Sequence, residues 1–323
     1  MPFVRTDVQG VLVMLDASPA PKMHEVDAAT ARMMMRTMGQ LTELPRGELA
    51  RVEDFTIVSP HGHPIPARLY STVAKGGPAA PVLVFYHGGG WVIGDLETHD
   101  PLCAEICRGL GMTVVSIDYR LAPEHRFPAA TEDCLAATRW AAASPAEIGH
   151  AVSGLVLAGD SAGGNLTAAC SQALHGKLPV PILAQWLIYP GVDMTAEEGS
   201  MKEFADGYLL TEASMIWFMD HYFGDQPEAA RMHAYASPMH GADFANQPPS
   251  LVFTCGLDPL RDQGRDYAAK LIGHGIPTVF REAAGQIHGS FNLRMAIPST
   301  QDDLHGCLGA LKVMVGEAQA AAA

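Results

Sequence analysis

The sequence predicts an α/β fold: a mostly parallel central sheet flanked by helices on both faces, with a helical cap. Three observations predict it. From about residue 80 onward, short β-rich runs alternate with stretches of helical periodicity, and parallel strands are joined by such helical crossovers. The runs are almost wholly apolar, as strands covered on both faces must be. Two segments stand outside the alternation, and neither is long enough to fold alone.

Residues 1–50 open with MPFVRTDVQGVLVMLDASPA, where a five-residue apolar run, 11–15, lies between Asp7 and Asp16. That run is shorter than a secretory or membrane-spanning segment. The pattern over 27–38 predicts a helix. DFTIVS and PARLY flank HGHP and predict an antiparallel hairpin with His61 and His63 in its turn. PVLVFY (81–86), TVVSI (113–117), GLVLA (154–158), LAQWLI (183–188), LVFTC (251–255) and TVF (278–280) predict the strands of the parallel part. Helices fit near 98–109, 128–142, 162–175, 260–274 and 300–317, and the alanine-rich end, 318–323, is expected to fray. Within 194–232, EASMIWFMDHYF predicts a strongly apolar helix. The resulting division is a cap made of 1–50 and 194–232, and a catalytic domain made of 51–193 and 233–323.

Charge and cysteine content exclude other classes. The 323 residues are 48% hydrophobic and carry 21 Lys plus Arg against 35 Asp plus Glu, a net charge of −14, which argues against a nucleic-acid or anionic-membrane partner. The six cysteines show no C-x-x-C spacing. Cys103 and Cys107 lack a companion histidine, and His61 and His63 lack a third ligand, so the reading is buried free thiols, turn histidines and no metal, while the short apolar run at 11–15 gives the reading of a soluble, cytoplasmic protein.

GLVLAGDSAGGN places GDSAG, 159–163, between an apolar strand and a helix. In this position G-x-S-x-G is a nucleophile elbow: a tight turn lifts a serine hydroxyl clear of the backbone, and small flanking residues let strand and helix close on each other. Ser161 is the nucleophile on this reading. A serine-capped glycine turn would carry the same letters, but HGGG at 87–90 precedes it by one crossover. The amides of Gly88, Gly89 and Gly90, with that of Ala162, are the candidate oxyanion hole. A serine needs a base and the base an orienting acid. The chain order of such sites, serine, acid, histidine, selects His288 in GQIHGSFN and Asp258 in CGLDPLRDQG, with Asp262 and Glu282 as other acids. His87 is read as structural, its imidazole pinning the glycine loop through the backbone.

HGGGWVIGD, DYRLAPEHRFPAA (118–130), GDSAGGN, DPLRDQG and the His288-Gly289 pair occur in an order that resembles the bacterial hormone-sensitive-lipase-like esterases of the α/β-hydrolase superfamily, over nearly the whole chain. The resemblance implies an α/β-hydrolase fold, a serine carboxylesterase without cofactor, and Gly89, Gly90 and Ala162 as the main oxyanion donors. It implies a homodimer through the edge of the last strand, near 277–282. Asp118, Arg120 and Glu124 are expected to form a buried polar network near the site. GQIHGSF departs from the family's common G-M-x-H-G-F, which places Gln286 and Ser290 beside the base and puts the neighbouring pocket wall in doubt. Amidases and peptidases use the same triad, although oligopeptidase relatives carry a propeller domain for which this chain lacks length. The plant gibberellin receptors share the fold but lose the histidine that this chain keeps.

The cap segments carry Met33, Met34, Met35, Met38, Met215, Ile216, Trp217, Phe218 and Met219, soft and bulky residues suited to core packing or to an adaptable apolar pocket. Met35, Met215 and Trp217, with Trp91, Asp160 and Ile287 around the motifs, are the candidate pocket lining. The expected substrate is a small, uncharged ester of short-to-medium acyl chain.

Overall fold

The structure, a computed structural model, describes residues 2–322. Its N-terminal segment forms α1 (Thr6–Asp16) and α2 (Ala28–Thr42). The predicted hairpin is β1 (Arg51–Val58) and β2 (Pro64–Ser71). Then follow β3 (Ala80–Tyr86), α3 (Asp100–Leu110), β4 (Thr113–Ile117), α4 (Ala129–Ala142), β5 (Val152–Asp160), α5 (Ala162–Leu174) and β6 (Ile182–Ile188). After α6 (Ser200–Glu203) and α7 (Glu212–Phe223) the alternation resumes with β7 (Ser250–Leu257), α8 (Arg261–Gly273), β8 (Thr278–Ile287) and α9 (Thr300–Ala322).

The eight strands form one sheet in the order β1-β2-β4-β3-β5-β6-β7-β8. β2 runs antiparallel to β1 and β4, and all other pairs are parallel. Side chains alternate across it as pleating requires. Val82, Val84 and Tyr86 of β3 pack with Cys134 and Ala137 of α4 and Leu166 and Cys170 of α5. Leu83 and Phe85 face the other way, onto Leu102 and Ile106 of α3 and Leu308 and Leu311 of α9. The six cysteines are free and buried.

Four elements differ from the sequence expectation, the four-residue α6 among them, which was not predicted. α1 was not predicted: it buries only Val8 and Val11, exposes Val13 and Met14 and carries Gly10 inside, so its apolar stripe is too short to show a period. β8 continues seven residues past the predicted TVF because REAAGQI is edge-strand sequence with exposed polar positions. The alanine tail is helical, α9 continuing through Ala322, as alanine's helix propensity favours.

α2 is capped by the Asp27 carboxylate, which accepts the Thr30 N–H at 2.7 Å, and α7 by Thr211 in a reciprocal pair with Ser214. The two segments outside the alternation touch: α7 packs on the short 3₁₀ turn Met23–Glu25 that precedes α2.

Candidate active site

The site begins where β5 turns into α5. Ser161 holds φ 56° and ψ −116°, a strained conformation for a non-glycine residue that persists only where neighbours enforce it. Its N–H donates to the Ile188 carbonyl at 2.8 Å. A Cβ on Gly163 would overlap the Tyr86 carbonyl, and one on Gly159 would overlap the Gly163 carbonyl. Both glycines are thus dictated by the crossing of β3, β5 and α5, which is the physical content of G-x-S-x-G.

The loops after β7 and β8 bring up the other groups. His288 Nε2 lies 2.8 Å from Ser161 Oγ, and His288 Nδ1 lies 2.7 Å from Asp258 Oδ2. Because the carboxylate only accepts, Nδ1 carries the proton and Nε2 is free to accept from the serine hydroxyl. Asp258 is fully buried, and its second oxygen accepts the Leu260 N–H at 2.8 Å. The other two acids lie elsewhere. Asp262 pairs with Arg261 and Arg265, and Glu282 with Arg265.

The glycine loop is held from both sides. Gly88 N–H donates to Asp160 Oδ1 at 2.7 Å, while Gly88 carbonyl accepts from His87 Nδ1 at 2.8 Å. This corrects the expectation for Gly88, whose amide is already engaged. The amides of Gly89, Gly90 and Ala162 have no acceptor among the described residues. Gly89 has φ 120°, and a Cβ there would overlap the Ile93 carbonyl. Its own carbonyl accepts the N–H groups of Val92 and Ile93, closing the loop into a tight turn.

Several expected pocket residues prove to be supports. Asp160 is 2% exposed and sits under the loop, 3.1 Å from His99 Nε2 and 3.2 Å from Asn292 Nδ2. Burial pushes its carboxyl up, but the His99 imidazole and the Gly88 amide outweigh that and hold it below the usual carboxylate range. Ile287 is wholly buried among Val8, Val11 and Leu257. Trp91 is stacked on Tyr222 of α7 at 4.3 Å, a strut between loop and helix. Met35 and Trp217 are half-buried against the main core, and Met215 is half-buried. Phe218, which the sequence marks only as one of nine cap residues, lies directly over Gly90. His99 and Asn292 carry no signal in the sequence, since only the fold brings them to Asp160.

The expected Asp118–Arg120–Glu124 network is also corrected. Arg120 pairs with Asp133, Glu124 is exposed and pairs with Arg32 of α2, and Asp118 faces His87 at 4.0 Å. They diverge because the segment leaves the sheet as an irregular loop.

The α/β-hydrolase fold family matches residues 83–292, from β3 to beyond the histidine. The chain belongs to that family. Its relatives include the carboxylic ester hydrolase LipN of Mycobacterium tuberculosis, 42% identical over 276 residues, 83% of this chain and 71% of that one. The carboxylesterase NlhH of the same species is 34% identical over 314 residues, 95% of this chain and 96% of that one. Among solved structures, an ester hydrolase from the metagenome of Lake Arreo superposes with a TM-score of 0.91 at 34% identity, covering 97% of this chain and all of that one. As a hormone-sensitive-lipase-like α/β hydrolase, the chain is a serine esterase. Among the described residues no cluster of His, Cys, Asp and Glu suits a metal ion, and no helix is long and apolar enough to cross a membrane.

Proposed function

We propose that Ser161, His288 and Asp258 carry the ester hydrolysis, with the amides of Gly89, Gly90 and Ala162 as the oxyanion hole. The observation that carries this reading is the relay of 2.7 and 2.8 Å contacts from a buried carboxylate to a strained serine, beside three amides without acceptors among the described residues. His288 Nε2 takes the Ser161 proton as Oγ attacks the ester carbonyl. Asp258 stabilises the imidazolium, and the amides hold the oxyanion. His288 then protonates the leaving alkoxide, and water attacks the acyl-enzyme by the same route.

Residues 1–50 and 194–232 act as the cap over this site. Phe218 on Gly90 and the Arg32 guanidinium, which donates to the Val92 carbonyl at 2.8 Å, support that role. A cap of two segments encloses a finite pocket, so the substrates are small uncharged esters with short-to-medium acyl chains. Six buried free thiols fit a reducing, cytoplasmic setting. The half-exposed Val279 and Phe280 on β8, an edge strand, support a homodimer through that edge.

Hydrolysis of p-nitrophenyl esters of increasing acyl length tests the substrate reading. The optimum is expected between about two and eight carbons, since each buried methylene adds about 0.8 kcal/mol until the pocket ends and overpacking reverses the gain. Rates that climb through long acyl chains, or jump when substrate forms an emulsion, would overturn it.

A further inference from the structure

His87 is fully buried and only one of its ring nitrogens is explained. Nδ1 meets the Gly88 carbonyl at 2.8 Å; a carbonyl cannot donate, so Nδ1 carries the proton. Burial pushes this imidazole down to about 4, with the neighbouring His99 acting in the same direction, so at neutral pH it holds that single proton. Nε2 is therefore a bare acceptor, sealed from water, and it has no partner among the described residues. A buried acceptor without a donor is costly.

The group facing it is Asp118, with one carboxyl oxygen 4.0 Å from Nε2. A carboxylate would set acceptor against acceptor, whereas a carboxylic acid supplies the missing donor. Asp118 borders a cavity of about 370 Å³ whose lining includes Arg36, Gly94, Asp95, Tyr119 and Arg120. Burial and the charge of Asp95 push its carboxyl up to about 6, against smaller opposing effects of Arg36 and Arg68. The other groups around His87 are Tyr119, stacked on its ring at 4.2 Å, His99 at 5.5 Å, and the carboxylates of Asp160 and Asp95.

We propose that Asp118 is a positioning residue for the glycine loop: its protonated carboxyl donates to His87 Nε2, fixing the tautomer whose Nδ1–H holds the Gly88 carbonyl. The 4.0 Å separation must shorten by about 1 Å to reach hydrogen-bond length. When the carboxyl ionises, its proton leaves through the cavity to solvent, Nε2 loses its donor, and the loop carrying the Gly89 and Gly90 amides is held less firmly. The proposal rests on the oxyanion reading above.

Asp118→Asn tests it, because an amide offers Nε2 a donor at every pH. The ratio of its kcat to that of the wild type is expected near one at about pH 5. By about pH 8 it should rise roughly 3- to 10-fold, a part of the ~10²-fold that loss of an oxyanion donor costs. KM should change little, and pH effects common to both enzymes cancel in the ratio. Asp118→Ala, which donates at no pH, should show its deficit at about pH 5 and match the wild type at about pH 8. A ratio flat with pH overturns the proposal. Nitrogen NMR of His87 in the wild-type enzyme gives a readout that needs no variant. The Nε2 resonance should move with a midpoint near pH 6 while Nδ1 keeps its bonded proton, and an Nε2 resonance constant from about pH 5 to 8 overturns the link. A moving resonance with a flat kcat ratio overturns the catalytic consequence. In that case the fault lies in the step from His87 to the loop, unless a fully active Gly89→Pro enzyme places it in the oxyanion reading itself.

Discussion

The molecule holds two Ser–His–Asp constellations with nearly the same contact lengths. In one, Ser161 Oγ, His288 and Asp258 are linked at 2.8 and 2.7 Å. In the other, at the β1–β2 turn, Ser59 Oγ lies 2.9 Å from His63 Nδ1 and His63 Nε2 lies 2.7 Å from Asp133. The difference is in what else each atom does. Ser59 Oγ also accepts the N–H groups of His61 and His63, at 3.2 and 3.1 Å, so while its O–H donates to His63 Nδ1 both of its lone pairs are occupied and none is left to attack a carbonyl. Asp133 is neutralised by the Arg120 guanidinium and also accepts the Arg120 N–H, so less of its charge is available to stabilise an imidazolium. Ser161 has no such amide donors among the described residues and sits on a strained turn beside unengaged N–H groups. Three residue types at hydrogen-bond distance therefore do not make a nucleophile; a free lone pair and a prepared anion site do.

The largest test of that contrast is the pair Ser161→Ala and Ser59→Ala. The first should lower ester turnover by about four or more orders of magnitude with the fold intact. The second should leave turnover per folded molecule unchanged. A folded Ser161→Ala enzyme retaining more than about a hundredth of the activity would break the assignment, given the size of a triad loss.

The acids sharpen it next. Asp258→Asn should cost up to about 10⁴ in kcat, because an amide opposite Nδ1 favours the wrong tautomer. Asp262→Asn and Glu282→Gln, both facing arginines, should cost little. Asp133→Asn should act on stability alone, by roughly 1–3 kcal/mol, through weakened contacts to Arg120 and His63. Comparing the four rate constants checks all of this, and a greater kinetic loss at Asp262 or Asp133 would refute the role given to Asp258.

A smaller effect belongs to the anion site that the second constellation lacks. Gly89→Pro removes one amide donor and should lower turnover by roughly 10²-fold or more, about 3 kcal/mol of transition-state stabilisation. Because proline cannot take φ 120° and its Cβ would overlap the Ile93 carbonyl, the loss includes that of a displaced loop, and the measurement is paired with a structure of the variant. Full activity despite the missing amide and the displaced loop would move the oxyanion donors elsewhere.

The strands, the main helices and the residues gathered at the elbow were legible because each leaves a local mark. Buried parallel strands are apolar runs, and the elbow needs small residues two positions either side of its serine. The histidine and the acid follow from chain order. What was not legible depends on atoms far apart in sequence. The engagement of the Gly88 amide by Asp160 became visible only once β3 and β5 lay side by side, and the seat of Phe218 on Gly90 only once α7 lay over the loop. The Ser59–His63–Asp133 constellation was read as two turn histidines because Asp133 comes 70 residues later, on α4. α1 escaped because two buried valines on an otherwise exposed helix form no recognisable stripe.

The smallest expected effect is the stability cost of Ser59→Ala, and it decides whether the second constellation is a structural device. Ser59 is 5% exposed, and its hydroxyl joins two amides of the turn to an imidazole that is itself tied to α4 through Asp133. Alanine leaves those amides without their side-chain acceptor. Buried and unanswered, each would cost about 1–3 kcal/mol, but His61 is exposed and water can reach that side of the turn. A net loss of about 1–2 kcal/mol follows, which lowers Tm by a few degrees, at roughly 2–4 °C per kcal/mol in a domain somewhat smaller than this one. Thermal unfolding followed alongside esterase turnover checks both halves. An unchanged Tm would mean that the turn holds without the hydroxyl. Lost turnover at temperatures where the variant is folded would mean that the two constellations are coupled, and the division between a chemical site and a structural one would fail.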